Sequence, residues 1–159
     1  KFAHYKSGRS GNLDGYFKVF RLAELYLNYA EAANEAASTT TAPNEAVDAV
    51  NTVRARVGMP AIPYGLSKDE FRLRLRNERR VELAFEEHRF FDVRRWKILD
   101  KTDKTVTGMR ANTDGTYTRF VVDNGRKAYT DKYLLYPIPG DEAIRLQNAA
   151  GRSCQNPGW

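Results

Sequence analysis

Apolar residues recur at three- and four-residue spacing through the first 100 positions, then give way to alternation and short extended runs. After the Asp14-Gly15 turn, Leu22, Tyr26, Tyr29, Ala30 and Ala33 predict one apolar face of a helix from Tyr16 to Ala37. Its alanines (Ala30, Ala32, Ala33, Ala36, Ala37) favour the helix and let a neighbour approach closely. Ser38-Thr39-Thr40-Thr41 is a polar break. Pro43 then opens a second helix, with Glu45 and Asp48 near its positive end and Ala46, Val47, Val50, Val53 and Val57 as the buried stripe. Gly58 and Pro60 stop it. Residues 16–58 therefore read as an antiparallel helix pair, about the 34-residue length of one tetratricopeptide repeat. Such pairs stack to be stable, so the expected neighbours lie upstream.

A third helical stretch over 67–97 begins at Ser67, whose spacing to Glu70 is that of a capping box. It runs through Phe71, Leu75, Val81, Ala84 and Phe85, breaks near His88, and resumes through Phe91 and Trp96. Beyond Leu99 the pattern turns strand-like. Tyr117–Val122 and Arg126–Thr130 flank Asp123-Asn124-Gly125, predicting a β hairpin over 117–130. Tyr133-Leu134-Leu135-Tyr136-Pro137-Ile138-Pro139 is extended by its prolines, and a short helix follows over Asp141–Gln147. The predicted fold is mainly α with a small β hairpin.

Composition narrows the class of protein. The 159 residues suffice for one hydrophobic core, and no run approaches the roughly 20 apolar residues of a membrane span. Lys1-Phe2-Ala3-His4-Tyr5 lacks a signal-peptide pattern, and the chain reads as a piece of a longer protein. The single Cys154 excludes an internal disulfide framework and a thiolate metal site. A net charge of +6 raises nucleic acid as a partner, but between Ser67 and Lys97 eight Arg and two Lys alternate with seven acids. Interleaved signs describe salt-bridged helices rather than a phosphate-binding face.

The densest chemistry lies in Asn77–Trp96. On a helix Glu78 and Glu82 stand one turn apart beside Phe71, Leu75 and Phe85, where an unpaired charge is costly. Arg79, Arg80, Arg89, Arg94 and Arg95 are close in sequence, and a guanidinium grips a carboxylate with two parallel hydrogen bonds. A structural ion-pair network of Glu78, Arg80, Glu82, Arg89, Arg94 and Arg95 is expected, with Phe91 and Trp96 as shields. The competing reading is a glycosidase-like carboxylate pair, which needs about 5–5.5 Å between carboxyl groups. Two groups projecting from one helix in one direction do not flank a bond, so catalysis is the weaker reading. His88 has only the distant His4 for company, no zinc-binding spacing occurs, and no Gly-rich phosphate loop or Gly-x-Ser-x-Gly nucleophile is present. No cofactor is implied.

Glu78-Arg79-Arg80-Val81-Glu82-Leu83-Ala84-Phe85-Glu86-Glu87-His88-Arg89-Phe90-Phe91-Asp92-Val93-Arg94-Arg95-Trp96 closely resembles the hallmark of the SusD/RagB family, "ERR-ELAFE-HR-FDLRRW". Phe20–Ala32 is similar to that family's "R-AE-LL-YAEA" helix. Leu135–Pro139 with Glu142, and the closing Gln155-Asn156-Pro157-Gly158-Trp159, are similar to its "L-PIP--E" and "QNPGW". Glu87 stands where Gly is common, and Tyr136 interrupts the usual Leu-Pro step.

The resemblance implies the C-terminal part of a SusD-like fold and a non-enzymatic surface lipoprotein of the bacterial outer membrane. Such a protein binds oligosaccharide and passes it to a SusC-like TonB-dependent transporter, using aromatic platforms that stack on sugar rings. The lipid anchor would sit in an N-terminal part outside this chain, as would most of the ligand site. Here Tyr117, Tyr129 and Tyr133 are the candidate stacking residues, against a competing role in cross-strand packing. The alternative function is a tetratricopeptide-type interaction module without glycan binding, which loses force if Tyr26 and Tyr29 are buried.

Overall fold

A computed structural model of the chain describes residues 19–102, 105–123 and 130–159. They fall into two units, Lys1–Arg89 and Phe90–Trp159. In the first, α1 (Leu22–Ala36) packs against both α2 (Asn44–Ala55) and α3 (Lys68–Glu82). Ala46, Val47, Val50 and Val53 of α2 and Phe71 and Leu75 of α3 close on Leu27 and Ala30 of α1, with Ile62 and Leu83 completing the core. Small residues at Ala30, Ala46 and Ala49 let the helices meet closely around the larger Phe71.

The α1 face differs in phase from the one expected. Leu27, Ala30 and Asn34 are buried and Ala23, Tyr26 and Ala33 flank them. Leu22 and Tyr29 are instead 64% and 52% exposed. The helix carries two apolar stripes, and periodicity alone mixed them. The proposed start at Tyr16 lies outside the described residues; the described helix begins at Leu22. Val57 and Phe85 are exposed because α2 and α3 end before reaching them, while Val81 lies on the outer side of α3.

Side-chain hydrogen bonds fix the connections. The Ser67 hydroxyl accepts the Glu70 amide at 3.3 Å and the Ser67 amide donates to Glu70 Oε2 at 3.1 Å, the capping box read from the sequence. Lys68 Nζ donates to the Ala37 and Glu35 carbonyls, a cation at the negative end of α1. The long return from α2 is pinned by Asn51, whose amide donates to the Ile62 carbonyl at 3.0 Å and accepts its N–H at 2.7 Å.

The single long helix expected over 67–85 stops at Glu82, and α4 (His88–Arg95) begins after an irregular turn. In that turn Phe85 and Glu87 adopt left-handed backbone, φ 65° and 64°. A side chain there costs about 1–2 kcal/mol, and glycine avoids the penalty. This accounts for the glycine common in the resembled pattern at the position of Glu87.

In the second unit α5 (Leu99–Thr102) precedes an antiparallel hairpin of β1 (Val106–Ala111) and β2 (Tyr117–Asp123). Its register places Ala111 opposite Tyr117 and Gly108 opposite Phe120. A Cβ on Gly108 would lie 2.9 Å from Phe120 Cζ, so a larger residue there would displace that ring. The second arm and turn of the hairpin expected over 117–130 lie outside the described residues. Tyr117–Val122 is a strand, but its partner in the described sheet is upstream, across an Asp114-Gly115 turn. Asp114 accepts the Thr116 amide and hydroxyl at 3.0 and 2.7 Å, and Gly115 supplies φ 82°. Asn124–Tyr129 lie outside the described residues.

A one-turn 3-10 helix (Asp131–Leu134) and α6 (Gly140–Ala150) flank the proline-rich run. The Gln155 amide donates to the Ile138 carbonyl at 2.9 Å and accepts its N–H at 2.7 Å. Asn156 donates to the Tyr136 carbonyl, and Trp159 Nε1 to the Lys132 carbonyl at 3.0 Å. Ile62 and Ile138 are thus served alike. Prolines hold the backbone extended and deny it neighbouring donors, so one carboxamide satisfies both polar groups of the isoleucine.

Urea unfolding tests two of these local arguments. Ser67→Ala is expected to destabilise the protein by about 1 kcal/mol through loss of the α3 cap. Exposed Glu87→Gly is expected to stabilise it by about 0.5–1 kcal/mol by relieving the left-handed side chain. Destabilisation by Glu87→Gly would show that the side chain makes a compensating contact.

Candidate functional site

The polar cluster of the first unit forms where the start of α1 meets the ends of α2 and α3. Arg21, the extended residue before α1, donates from Nη1 to Glu82 Oε1 at 2.5 Å and from Nη2 to the Glu82 carbonyl at 2.6 Å. Its Nε reaches Glu86 Oε2 at 2.7 Å. Arg56, just past α2, donates to the same Glu82 Oε1 at 2.7 Å. One turn earlier, Glu78 Oε2 accepts Arg54 Nη1 at 2.5 Å, while Arg54 Nε caps the Pro60 carbonyl at 2.8 Å. The Glu82 and Glu86 side chains retain 12% and 3% exposure and Arg21 18%, so the Arg21 pairs lie largely out of water, whereas Arg56 is 57% exposed. Burial alone would lower the Arg21 pKa, but the hydrogen bonds and charges of Glu86 and Glu82 outweigh it and raise it.

Arg79 is buried in the same unit, donating to Asn28 Oδ1 at 2.6 Å with Glu31 3.9 Å away. His88 Nε2 lies 3.5 Å from Glu24 Oε2, a buried oxygen without a hydrogen-bond partner among the described residues. His88 therefore sits against α1 beside a carboxylate. Farther along, Arg72 clamps Glu35 through Nε at 2.5 Å and Nη2 at 2.8 Å and also pairs with Asp69. The Arg72 hydrogen bonds hold the Glu35 carboxyl below its ordinary range, against the opposing effect of burial.

The expected network of Glu78, Arg80, Glu82, Arg89, Arg94 and Arg95 is distributed differently. Glu78 and Glu82 are engaged by Arg54, Arg21 and Arg56, residues 24 to 61 positions away in sequence. Arg80 is exposed and donates to Asn77 Oδ1 at 2.9 Å. Arg89 is half-buried at the end of the first unit. In the second unit Arg94 stacks 3.5 Å over the Phe90 ring, and Arg95 pairs with Asp92 at 2.9 Å. Trp96 is half-buried near Arg95, whereas Phe91, also expected as a shield, is 59% exposed. Arg80 lies around the circumference of its own helix, while α2 and the residue before α1 deliver guanidinium groups directly onto the carboxylates.

The stacking candidates diverge. Tyr117 is 70% exposed on the hairpin. Tyr133 meets Trp159 edge-on with ring centroids 5.8 Å apart, and Lys132 Nζ lies 5.2 and 4.5 Å from the two rings. Tyr129 lies outside the described residues. Of the two residues bearing on the interaction-module alternative, Tyr26 packs against the core and Tyr29 is exposed. Chemically, the buried cluster commits its carboxylates to guanidinium donors, while the exposed rings offer apolar faces.

A family model described as the SusD family matches residues 1–159. SusD-like protein P2 of Formosa agariphila is 36% identical over 146 residues, 87% of this chain and 25% of that protein. SusD-like protein P25 of the same organism is 40% identical over 84 residues, covering 51% of this chain and 15% of the relative. A crystal structure of a SusD-like protein from Bacteroides fragilis superposes with a TM-score of 0.76 at 37% identity, over 90% of this chain and 26% of that one. The chain thus spans about a quarter of the length of P2 and of the solved structure.

Two measurements test the electrostatic reading. Glu82→Ala, which removes one of the two carboxylates held by Arg21 together with the Arg56 contact, is expected to destabilise the protein by about 3 kcal/mol in urea unfolding. A loss below about 1 kcal/mol would place the pair among exposed, weak salt bridges. Glu35, with its pKa depressed in the folded state, contributes stability above the ordinary glutamate pKa of about 4.3 and loses it as pH falls through the folded value. Glu35→Gln is expected to flatten that acid-side loss in a pH series of unfolding midpoints; an unchanged slope would contradict the pairing.

Proposed function

The chain belongs to the SusD family, and from that premise we propose that it is the helical scaffold of a non-enzymatic glycan-binding component in a SusC/SusD-type nutrient-uptake system. The observation that carries the reading is the family match over residues 1–159, supported by the TM-score of 0.76 at 37% identity. In this proposal the full-length protein is held at the outer-membrane surface by a lipid on its N-terminal part. It captures oligosaccharide and delivers it to a SusC-like TonB-dependent transporter. Among the described residues no helix is long and apolar enough to cross a membrane.

A non-enzymatic role agrees with the chemistry of Glu78 and Glu82. Each accepts hydrogen bonds from guanidinium groups at the end of α2 or just before α1, and each of those contacts ties helices together. Sugar binding instead requires exposed ring faces with polar groups beside them. Here Tyr117 is the open ring, while Tyr133 is occupied by Trp159 and Lys132. The reading therefore assigns the principal ligand contacts to polypeptide beyond this segment.

Titration calorimetry of the full-length protein against a panel of oligosaccharides tests the assignment. At least one member is expected to bind, without hydrolysis, and Tyr117→Ala is expected to change its Kd by less than about threefold, under 1 kcal/mol. A loss above about tenfold would move the ligand site onto the hairpin. Binding of no oligosaccharide, or release of shorter sugars, would overturn the glycan-capture reading itself.

A further inference from the structure

The break between α3 and α4 runs against the preference of its own residues. Leu83, Ala84, Phe85, Glu86 and Glu87 include no glycine or proline, and leucine, alanine and glutamate are among the better helix formers. Phe85 and Glu87 nevertheless adopt left-handed backbone. Burial does not compensate either of them, since Phe85 is 84% exposed and Glu87 is exposed as well. A disfavoured conformation at exposed side chains persists because its surroundings impose it. We propose that residues 83–87 are a two-state element: Arg21 holds them as a turn, and they become helical, continuing α3 into α4, when Arg21 is withdrawn.

Arg21 supplies what the break takes away. In an unbroken helix the Glu86 N–H would donate to the Glu82 carbonyl. Here it donates to the Leu83 carbonyl at 3.1 Å, and Arg21 Nη2 takes its place on the Glu82 carbonyl at 2.6 Å. Arg21 Nε fastens the Glu86 side chain at 2.7 Å. The same guanidinium thus caps the end of α3 and pins the turn that follows. Among the described residues the Phe85 and Glu87 amides make no backbone hydrogen bond. A helix would give them the Val81 and Leu83 carbonyls.

The helical alternative fits the core that is already there. At 100° per residue Glu86 and Leu83 lie about 20° and 80° round from Leu75, so both stay on the side of α3 that faces α1. No core residue has to change sides. The trigger is equally local. Arg21 immediately precedes α1, so displacement of the chain entering that helix moves the guanidinium directly. Movement at the start of α1 is thereby coupled to the signature segment 61 to 65 residues later.

Hydrogen exchange in the full-length protein tests the switch at the Phe85 and Glu87 amides. In the wild type both are expected to exchange near the rate of unstructured peptide. In Arg21→Gln they are expected to slow by at least about tenfold, while the amides of Phe71 to Arg79 stay protected. Adding Phe85→Gly and Glu87→Gly, which relieve the left-handed positions and weaken the helix, is expected to restore fast exchange. Arg21→Lys keeps the cation but not the fork, and is expected to slow both amides by about threefold. It decides the question if Arg21→Gln does not fold. Slow exchange already in the wild type, or fast exchange in the folded variant with α3 protected, would overturn the proposal, as would loss of α3 protection in both variants.

Discussion

The contact on which the first unit depends is the grip of Arg21 on Glu82 and Glu86. It joins the residue before α1 to residues 61 and 65 positions later, at and beyond the end of α3. Arg56 brings the end of α2 to the same carboxylate. Three helix ends therefore meet at one anion. This follows from the geometry of a unit in which α1 runs opposite to both its neighbours. The negative ends of α2 and α3 come together there, and Glu82 adds a further negative charge. Without cations at that end the packing of Leu27, Phe71 and Leu75 would be opposed by uncompensated charge. Lys68 performs the complementary task at the other end by capping the carbonyls of α1.

Much of the first unit was legible because its signals are local. The capping box at Ser67, Pro43 before α2 and the buried stripe Ala46, Val47, Val50, Val53 each depend on neighbours within a turn or two. What escaped was set by tertiary choice. Leu22 and Tyr29 fit a helical face as well as Leu27 does, and only the position of α2 and α3 decides which stripe goes inside. The partners of Glu78 and Glu82 escaped for the same reason, since Arg21, Arg54 and Arg56 become neighbours only when the helices assemble. The turn at Asp114-Gly115 that joins β1 to β2 also went unread, although it is as strong a signal as Asn124-Gly125, which lies outside the described residues.

The candidate site was legible in kind more than in place. The resemblance located the signature segment, and the coordinates give its residues physical reasons. Glu82 and Glu86 anchor α1, Glu87 occupies a left-handed turn suited to glycine, and Gln155 and Asn156 stitch the terminal segment to the proline run around Ile138. The residues that resemble the family most closely are thus engaged in holding helices and turns together. Recognition of a sugar needs exposed rings, and of the two described candidates Tyr117 is the more open, at 70% against 38% for Tyr133.

The central claim, that Glu82 serves the scaffold and not the ligand, is tested most directly by comparing wild-type and Glu82→Gln full-length proteins. Oligosaccharide affinity would be measured at a temperature where both are folded, alongside the unfolding midpoint of each. The account predicts a clearly lowered midpoint with affinity unchanged within about twofold, under 0.5 kcal/mol. An unchanged midpoint with lost affinity would place Glu82 in the binding site and contradict the account.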